Sequence, residues 1–570
     1  SAFTIDAADF SFYEKIKVPP PTWCPECRLQ RRLAWRNERT YYKRQCDLCK
    51  KNIIATYPSD APHPVYCVRC WWSDGWDPLE YGRDFDFNRP FFEQFKELLQ
   101  TAPALSMMND DGVARTNCEY SYDWFYSKNC YMVICGWYGE NCMYMYHGEH
   151  IKDMLDCFYM RDADLAYECL VGYKLSRCFY CTNCRECYDC FLSEDLQGCS
   201  NCVMCVGLRN KNYCIRNKQY TKEEYFKELE TMHLGDRSSL DTCRKEFDVF
   251  SLQFPRRFAH VLKSVDTTGN FLINCKNSKH CFFGNSLENC KFIVVNDGGK
   301  DSYDLNMTGK AELCYECVTA DNSYGNTGTV FCFKSKYVEY SQYCPSAEWC
   351  FGCVGLKKGS YSIFNKKYSK EEYEILHARI VEHMKNTGEW GEFFPHWASP
   401  FAYNETAAQE WFPLSRPEIE SRGYLWREDK VRDYQVTLRG SELPGTISSV
   451  TEDILDEIIN CEHGGICNEK CTTAFRIVPA ELQLYRRLNI PLPRLCPNCR
   501  HYTRVKRRAL PRLWHRSCQC SGAKSSNTVY QNTITHTHGA EPCPTEFETS
   551  YAPDRPEIVY CEKCYNMEVA

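Results

Sequence analysis

One segment of the chain occurs twice, and this repeat constrains the fold more than any other feature of the sequence. Residues 3–46 and 475–518 align without a gap and keep their apolar and cysteine positions. The match resumes after a 22-residue insertion in the second copy. The aligned cysteines are Cys24 with Cys496, Cys27 with Cys499, Cys46 with Cys518, Cys67 with Cys561, and Cys70 with Cys564. The sequence therefore predicts one cysteine-bearing module at each end of the chain.

The chain has 41 cysteines, which are either disulfides of an exported protein or metal-bound thiolates in a reducing cytosol. The count is odd, no export signal is visible, and most cysteines of the end modules come as C-x2-C pairs. Two cysteines three residues apart form a good metal knuckle but a strained disulfide loop. These features favour Zn²⁺ at about three sites in a cytoplasmic protein.

The N-terminal module carries three C-x2-C knuckles whose spacings match a zinc ribbon in two ways. The C-terminal copy favours one pairing, because an extra group at Cys461, Cys467 and Cys471 can partner Cys496/Cys499 and leave Cys518/Cys520 for Cys561/Cys564. Transferred to the front, this pairing gives Cys46, Cys49, Cys67 and Cys70 one zinc. Cys24/Cys27 is then half a site, completed by an upstream knuckle or by another copy of the chain in a homo-oligomer. The alternative, in which Cys24/Cys27 joins Cys46/Cys49, stays open.

The insertion in the second copy holds His536 and His538, with Cys543 close behind. These residues are alternatives to Cys520 as ligands, because C-x-C is a tighter knuckle than usual. A simply exposed loop is the other interpretation. The predicted metal ligands are Cys24, Cys27, Cys46, Cys49, Cys67, Cys70, Cys461, Cys467, Cys471, Cys496, Cys499, Cys518, Cys520, Cys561 and Cys564.

Both modules carry a basic segment just after the first aligned knuckle. Residues 28–44 hold seven Arg/Lys against Glu38 alone, and residues 500–516 hold seven against no acid. Arginines recur there every fourth residue, on one face of a helix, next to aromatic residues, which suits phosphates and stacked bases. The alternative is that some of them neutralise the negative zinc–thiolate centres. The predicted nucleic-acid-binding residues are Arg28, Arg32, Arg36, Arg500, Arg504, Arg508, Arg512 and Arg516.

The middle of the chain is also duplicated, at an offset of 148 residues. The string NKQYTKEEY at 217–225 returns as NKKYSKEEY at 365–373. Within each half, short cysteine-bearing units recur every 9 to 15 residues, which predicts a β-solenoid with small buried rung residues. Capping boxes at Thr221/Glu224 and Ser369/Glu372 predict a helix at the end of each half. The dense cysteines from Cys178 to Cys205 are either buried rung thiols or a metal or cluster site.

The predicted fold is mainly β with short helices, a duplicated β-solenoid-like middle flanked by two homologous zinc-ribbon modules. Composition is globular, with 44% hydrophobic and 25% charged residues. The predicted segments are a zinc-ribbon module at 1–70, an aromatic linker and helix at 71–117, solenoid halves with capping helices at 118–235 and 236–385, a Pro/aromatic-rich connector at 386–460, and a double zinc-ribbon module at 461–570.

Three strings resemble a family of cysteine-rich zinc-ribbon proteins from candidate-phyla-radiation bacteria. They are PPPTWCPECR at 19–28, WWSDGWDPLEYGRDFDF at 71–87 and EFETSYAPDRPEIVYCEKC at 546–564. The resemblance implies a bacterial protein of cytoplasmic type whose relatives usually carry a C-x2-C just ahead of the Phe3 segment. It implies no activity, so no catalytic residue is transferred.

The sequence argues against an enzyme, because it has no P-loop, no G-x-G-x-x-G after a strand, no G-x-S-x-G and no H-E-x-x-H. No apolar run is long enough to cross a membrane. The leading hypothesis is a non-enzymatic zinc protein that binds RNA or the ribosome through its basic ends. The alternatives are a structural or self-assembling protein joined through its zinc-ribbon ends, and a redox or metal-cluster protein.

Overall fold

A computed structural model describes residues 3–109, 115–428, 434–467 and 469–569. The chain divides into two compact units. The first unit draws its described residues from Ser1–Gly112, Ala259–Glu428 and Leu510–Leu513, and the second from Val113–Phe258, Asp429–Ala509 and Trp514–Ala570. Each unit thus combines one end module with the half of the duplicated middle that lies farther from it in sequence.

The first unit holds the N-terminal module and the second half of the middle. Its α-helices span Ala7–Lys15, Pro25–Leu33, Val68–Trp72, Phe91–Leu99, Lys370–Asn386, Ala407–Trp411 and Arg416–Ser421. Its 3₁₀ helices span Pro78–Tyr81, His396–Ala398 and Tyr403–Glu405. Its strands span Tyr42–Gln45, Asn52–Ala55, Val65–Tyr66, Ala104–Leu105, Val261–Leu262, Val265–Ile273, Lys276–Glu288, Val294–Lys300, Leu305–Glu312, Cys317–Val318, Lys336–Glu339, Glu348–Phe351, Ser360–Ile363 and Lys366–Lys367.

The second unit holds the first half of the middle and the C-terminal module. Its α-helices span Lys222–Thr231, Arg237–Ser251, Pro479–Leu488, Pro497–Val505 and Glu562–Val569, and its 3₁₀ helices Gly440–Glu442, Ile447–Ser449 and Glu452–Leu455. Its strands span Arg115–Glu119, Tyr122–Phe125, Ser127–Tyr131, Ile134–Trp137, Met154–Leu155, Ala166–Tyr167, Leu170–Ser176, Cys178–Phe179, Thr182–Phe191, Ser200–Val203, Asn212–Ile215, Lys218–Gln219, Arg256–Arg257, Ile459–Asn460, Ala474–Phe475, Trp514–Ser517, Glu546–Thr549 and Val559–Tyr560.

The strands of each middle half form parallel ladders in which most partners lie 12 residues apart. Ala166 lies opposite both Met154 and Cys178, and Val294 lies opposite both Phe282 and Asn306. Each ladder ends in an antiparallel pair, Asn212–Ile215 with Lys218–Gln219 and Ser360–Ile363 with Lys366–Lys367. These pairs stand 148 residues apart, so the duplication read from the sequence extends to the strand pairing. The fold is mixed and strand-rich, with many short strands, and it contains more helix than the predicted mainly β fold.

The chain turns by placing every third residue of the ladders in the left-handed region, as at Asn117, Tyr120 and Asp123. That region is costly for most side chains and least so for Asn and Asp. Side-chain hydrogen bonds between successive turns offset part of the cost. Asn117 donates to Asn129 at 3.0 Å, Asn129 to Asn141 at 3.1 Å and Asn141 to Asp153 at 2.9 Å.

Buried cysteines line the inside of both ladders and donate their thiol hydrogens to backbone carbonyls. Cys178 lies 3.6 Å from the carbonyl of Ser176 and 3.5 Å from that of Cys187. Ser302 makes the same two kinds of contact, to the carbonyls two residues before and nine residues after it, at 2.7 and 2.9 Å. Cysteine and serine therefore fill the same kind of position, as small buried residues that donate to the backbone, and the assignment of these positions to solenoid rungs stays a prediction.

Both predicted capping helices are confirmed. Thr221 caps Lys222–Thr231 and Ser369 caps Lys370–Asn386, each through a complete capping box. The helix predicted within residues 71–117 is Phe91–Leu99, and its first two backbone N–H groups donate to the carboxylate of Glu389. The sequence also predicts a helix near 451–460, which is wrong, because the 3₁₀ helix Glu452–Leu455 and the strand Ile459–Asn460 form there.

Candidate metal centres

The first centre joins Cys46, Cys49, Cys67 and Cys70, the set that the C-terminal copy favoured. Cys46 follows the strand Tyr42–Gln45, and Cys67 caps the helix Val68–Trp72. The sulfurs of Cys49 and Cys67 lie 3.9 Å apart, and the backbone N–H of Cys67 donates to the sulfur of Cys46 at 3.2 Å. A hydrogen bond from the backbone N–H of Lys51 lowers the pKa of Cys49 to about 7, which favours its thiolate.

The second centre joins Cys461, Cys471, Cys496 and Cys499. The sulfurs of Cys471 and Cys496 lie 4.0 Å apart, and the backbone N–H of Cys496 donates to Cys461 at 3.2 Å. Hydrogen bonds from the thiols of Cys461 and Cys499 hold the pKa of Cys496 far below its usual value. The sequence thus identified the three upstream cysteines correctly as a group that meets this knuckle, but only two of them enter the tetrad.

Cys467 is the exception, and its assignment to the second tetrad is corrected. Its sulfur lies 3.7 Å from Cys499, in a group completed by His463 and Glu469. Glu469 also forms an ion pair with Lys506. Gly464 and Gly465, both in left-handed conformations, turn the loop just before Cys467.

The third centre joins Cys518, Cys543, Cys561 and Cys564, all buried. The sulfurs of Cys543 and Cys561 lie 3.9 Å apart, and the backbone N–H of Cys561 donates to Cys518 at 3.1 Å. A hydrogen bond from the Cys518 thiol lowers the pKa of Cys561 to about 4. Cys543, the residue that closes the insertion, takes the place predicted for Cys520. That prediction is therefore corrected in favour of the alternative from the insertion.

The fourth group joins Cys520, His536, His538 and Cys564. The sulfur of Cys520 lies 3.1 Å from Nδ1 of His536 and 3.4 Å from Nε2 of His538. His536 is 3% exposed, so the interpretation of this segment as a simply exposed loop is wrong for that residue. The insertion is folded back on the module and supplies ligand-type side chains to both groups.

Cys24 and Cys27 lie with their sulfurs 3.0 Å apart. Among the described residues, no group of three or more ligand-type side chains includes them. The alternative in which they share an ion with Cys46/Cys49 is not the arrangement observed. Their role as half of a site stays a prediction.

The arginines predicted to bind nucleic acid are buried in the first unit. Arg28 lies 1% exposed and makes a bidentate contact with Asp304, at 3.1 Å from Nε and 2.9 Å from Nη2. Arg32 reaches the same carboxylate at 2.8 Å. Arg36, also buried, pairs with Glu38 and donates to Thr319. These guanidinium groups are enclosed and paired, so the structure does not support nucleic-acid binding by these three residues.

The second unit repeats the arrangement. Arg500 lies 3.0 Å from Asp156, and Arg504 lies 2.9 Å from both Asp156 and Glu168. Arg508 is buried and lies over the ring of Phe158, 5.1 Å from its centre. The structure does not support a nucleic-acid surface here, for the same reason. Arg512 is half exposed and pairs with Glu26, and Arg516 donates to backbone carbonyls, so their role in nucleic-acid binding stays a prediction.

The carboxylates that pair with these arginines were not predicted from the sequence. Asp156 and Glu168 in one ladder correspond to Asp304 and Glu316 in the other at the 148-residue offset, and Arg31 and Arg32 contact Glu316. The sequence did contain a signal for this pairing. The duplicated middle keeps an acidic pair in both halves, and the duplicated end module keeps a row of arginines in both copies.

None of the protein-family models matches the chain, and none of the curated proteins does. Among solved structures, a candidate acetyltransferase from Desulfovibrio desulfuricans G20 is 8% identical and covers 48% of this chain and 69% of its own, with a TM-score of 0.09. A score that low carries no argument about fold or activity. In the described part of the chain, every helix is too short or too polar to cross a bilayer.

Proposed function

We propose that this protein is a non-enzymatic zinc-binding protein whose metal centres are structural. In each unit, zinc folds a cysteine module, and the module presents an arginine-bearing helix that packs against the parallel ladder. Each ladder of 12-residue turns is then a β-solenoid that its module closes on one face.

The spacing of the sulfurs carries the proposal. A tetrahedral ion with metal–sulfur bonds of about 2.3 Å separates its sulfurs by about 3.8 Å. The pairs Cys49/Cys67, Cys471/Cys496 and Cys543/Cys561 stand at 3.9, 4.0 and 3.9 Å. A disulfide needs about 2.05 Å, and all of these cysteines are free thiols.

The donor set favours zinc over Mg²⁺ and Ca²⁺. Four thiolates in tetrahedral array suit Zn²⁺ and disfavour Mg²⁺ and Ca²⁺, which require oxygen ligands. Four protein ligands also fill the coordination shell, so the three all-cysteine centres have no position for a substrate or an activated water. This closed coordination supports a structural role rather than catalysis.

The buried arginines favour this role over RNA binding. Six of the eight arginines that suggested a nucleic-acid surface are instead neutralised by carboxylates or packed on aromatic rings. Burying a guanidinium is costly unless its charge is paired. Each module therefore depends on the carboxylates of its ladder, and each ladder depends on the module that covers it.

Metal analysis tests the proposal. Protein purified without added metal should contain at least three equivalents of zinc per chain by elemental analysis. Cys46→Ser should remove about one equivalent, whereas Cys281→Ser, in a rung of the first unit, should remove none. A chelator should unfold the modules and increase their proteolysis. Native protein without bound transition metal, or with those sulfurs joined in disulfides, contradicts the proposal.

A further inference from the structure

We infer that the C-terminal module holds a binuclear centre in which the thiolate of Cys564 bridges two metal ions. The inference rests on the zinc-binding function proposed above and extends it from separate ions to a shared cluster. One ion lies among Cys518, Cys543, Cys561 and Cys564, and the other among Cys520, His536, His538 and Cys564.

The number of ligands fits two ions with one shared sulfur. Two tetrahedral ions have eight coordination positions. The two groups together contain seven residues, because Cys564 belongs to both. A thiolate has lone pairs for two metals, so one bridging cysteine fills both shells without a water. Each group has its ligand atoms within 4.8 Å of one another, which places both ions within bonding reach of the same sulfur.

The distances in the mixed group suit a metal. An ion bound to sulfur at about 2.3 Å and to nitrogen at about 2.05 Å separates the two ligand atoms by about 3.6 Å. Nε2 of His538 lies 3.4 Å from the sulfur of Cys520 and 3.4 Å from that of Cys564. His538 therefore stands between the bridging cysteine and the outer cysteine of its group.

Both imidazoles are oriented by their other nitrogen. Nε2 of His536 lies 2.7 Å from the carboxylate of Glu568, and Nδ1 of His538 lies 2.7 Å from the carbonyl of Glu541. Each of these partners accepts a hydrogen, which leaves the nitrogen facing the sulfurs unprotonated. Histidines that ligate metals are usually held by such partners.

Several hydrogen bonds hold the carboxylate of Glu568 in the position from which it orients His536. It accepts hydrogen bonds from Tyr530 and from the backbone N–H and hydroxyl of Thr533, at 2.8, 2.8 and 2.9 Å. It also lies one turn after Cys564 on the helix Glu562–Val569, so one helix carries the bridging ligand and the residue that orients His536.

Charge favours the shared arrangement. Five thiolates, two neutral imidazoles and two divalent ions carry a formal charge of −1. An isolated ion with four thiolates carries −2, which is costlier to bury. Asn532 donates its amide to the sulfur of Cys520 at 3.2 Å and stabilises the remaining negative charge.

The group around Cys499 has the same form but a weaker case. Its additional ligand candidates are His463, Cys467 and Glu469, and Glu469 already forms an ion pair with Lys506. The inference is therefore confined to Cys564.

Metal stoichiometry in the full-length chain separates the possibilities. Cys564→Ser should remove two equivalents of zinc, whereas Cys70→Ser, at the aligned position of the N-terminal module, should remove one. His536→Ala combined with His538→Ala should also remove one. Loss of only one equivalent in the Cys564 variant, or of none in the histidine variant, overturns the inference.

A second measurement needs no variant. Protein loaded with ¹¹³Cd should show a scalar coupling between two of its cadmium resonances, transmitted through the shared sulfur. Loaded cadmium at both groups without such coupling means two separate ions and overturns the inference. If cadmium fills the all-cysteine centres but not the histidine group, the bridge alone is refuted. If cadmium is also absent from Cys46, Cys49, Cys67 and Cys70, the proposed zinc function is refuted as well.

Discussion

At the scale of single residues, the acidic partners of the arginines decide whether the basic segments are exposed or buried. Arg500 and Arg504 are enclosed, and one carboxylate, Asp156, faces both of them. Burial lowers the pKa of Arg500, but Asp156, Tyr485 and Glu481 more than compensate and raise it on balance. A buried guanidinium that keeps its charge is stable only as long as its carboxylates remain.

Removing the shared carboxylate should therefore destabilise the second unit. Asp156→Asn leaves two buried arginines without their common partner and should cost about 3–5 kcal/mol in the free energy of unfolding. Urea denaturation followed by circular dichroism measures the loss.

Glu246→Gln is the matched control for this variant. It breaks the half-exposed pair of Glu246 with Arg216 and should cost less than about 1 kcal/mol. Equal effects of the two substitutions would contradict the role assigned to Asp156. Zinc content should stay unchanged in both, because neither residue is a ligand.

At the scale of single elements, cysteine is a packing residue within the ladders. Cys281 is fully buried and donates to the carbonyls of Lys279 and Cys290 at 3.3 and 3.7 Å. Ser302 makes the corresponding bonds at another turn of the same ladder. The same residue type thus has two roles in this chain, as a hydrogen-bonded thiol in the ladders and as a proposed metal ligand in the modules.

A serine substitution should distinguish these roles. Cys281→Ser keeps the size and the hydrogen bonds of the side chain and should cost no more than about 1.5 kcal/mol. Cys496→Ser breaks a proposed tetrahedral centre and should unfold the C-terminal module. Limited proteolysis and thermal unfolding of the two variants compare the effects. A collapse of the Cys281 variant with loss of metal would show that the rung cysteines also bind ions.

At the scale of the whole molecule, each end module is grouped with the half of the middle that is farther from it in sequence. The first unit joins the N-terminal module to the second half of the middle, and the second unit joins the first half to the C-terminal module. The repeats and cysteine spacings predict six consecutive segments, and the boundaries of these segments stay predictions. The arginine–carboxylate clusters supply a physical reason for the observed grouping, since each arginine-bearing helix contacts a ladder distant in sequence.

A truncation should show this grouping in solution. A chain without residues 1–112 loses Arg28, Arg31 and Arg32, and with them the cover over the part of the ladder that holds Asp304 and Glu316. Hydrogen exchange should then accelerate by roughly 100-fold or more in residues 259–385, about 3 kcal/mol of lost local stability. Exchange in residues 115–258 should be unchanged. Faster exchange confined to 115–258, the adjacent half in sequence, would contradict the grouping.

The sequence by itself determined the duplications, the capping helices, the brief strands with small buried residues, and most of the cysteines that meet in tetrads. Each of these depends on local spacing, which a sequence displays directly. Residues three apart form a knuckle, and a Ser or Thr three residues before Glu caps a helix.

Only the tertiary structure decided where the arginines point, which cysteines leave the expected sets, and which module covers which ladder. Charge spacing along a helix is the same whether its face meets phosphate or a buried carboxylate. Asp304 lies 276 residues from Arg28, and Cys543 reaches Cys518 only because the insertion folds back. Such contacts depend on the path of the whole chain, and local patterns do not encode that path.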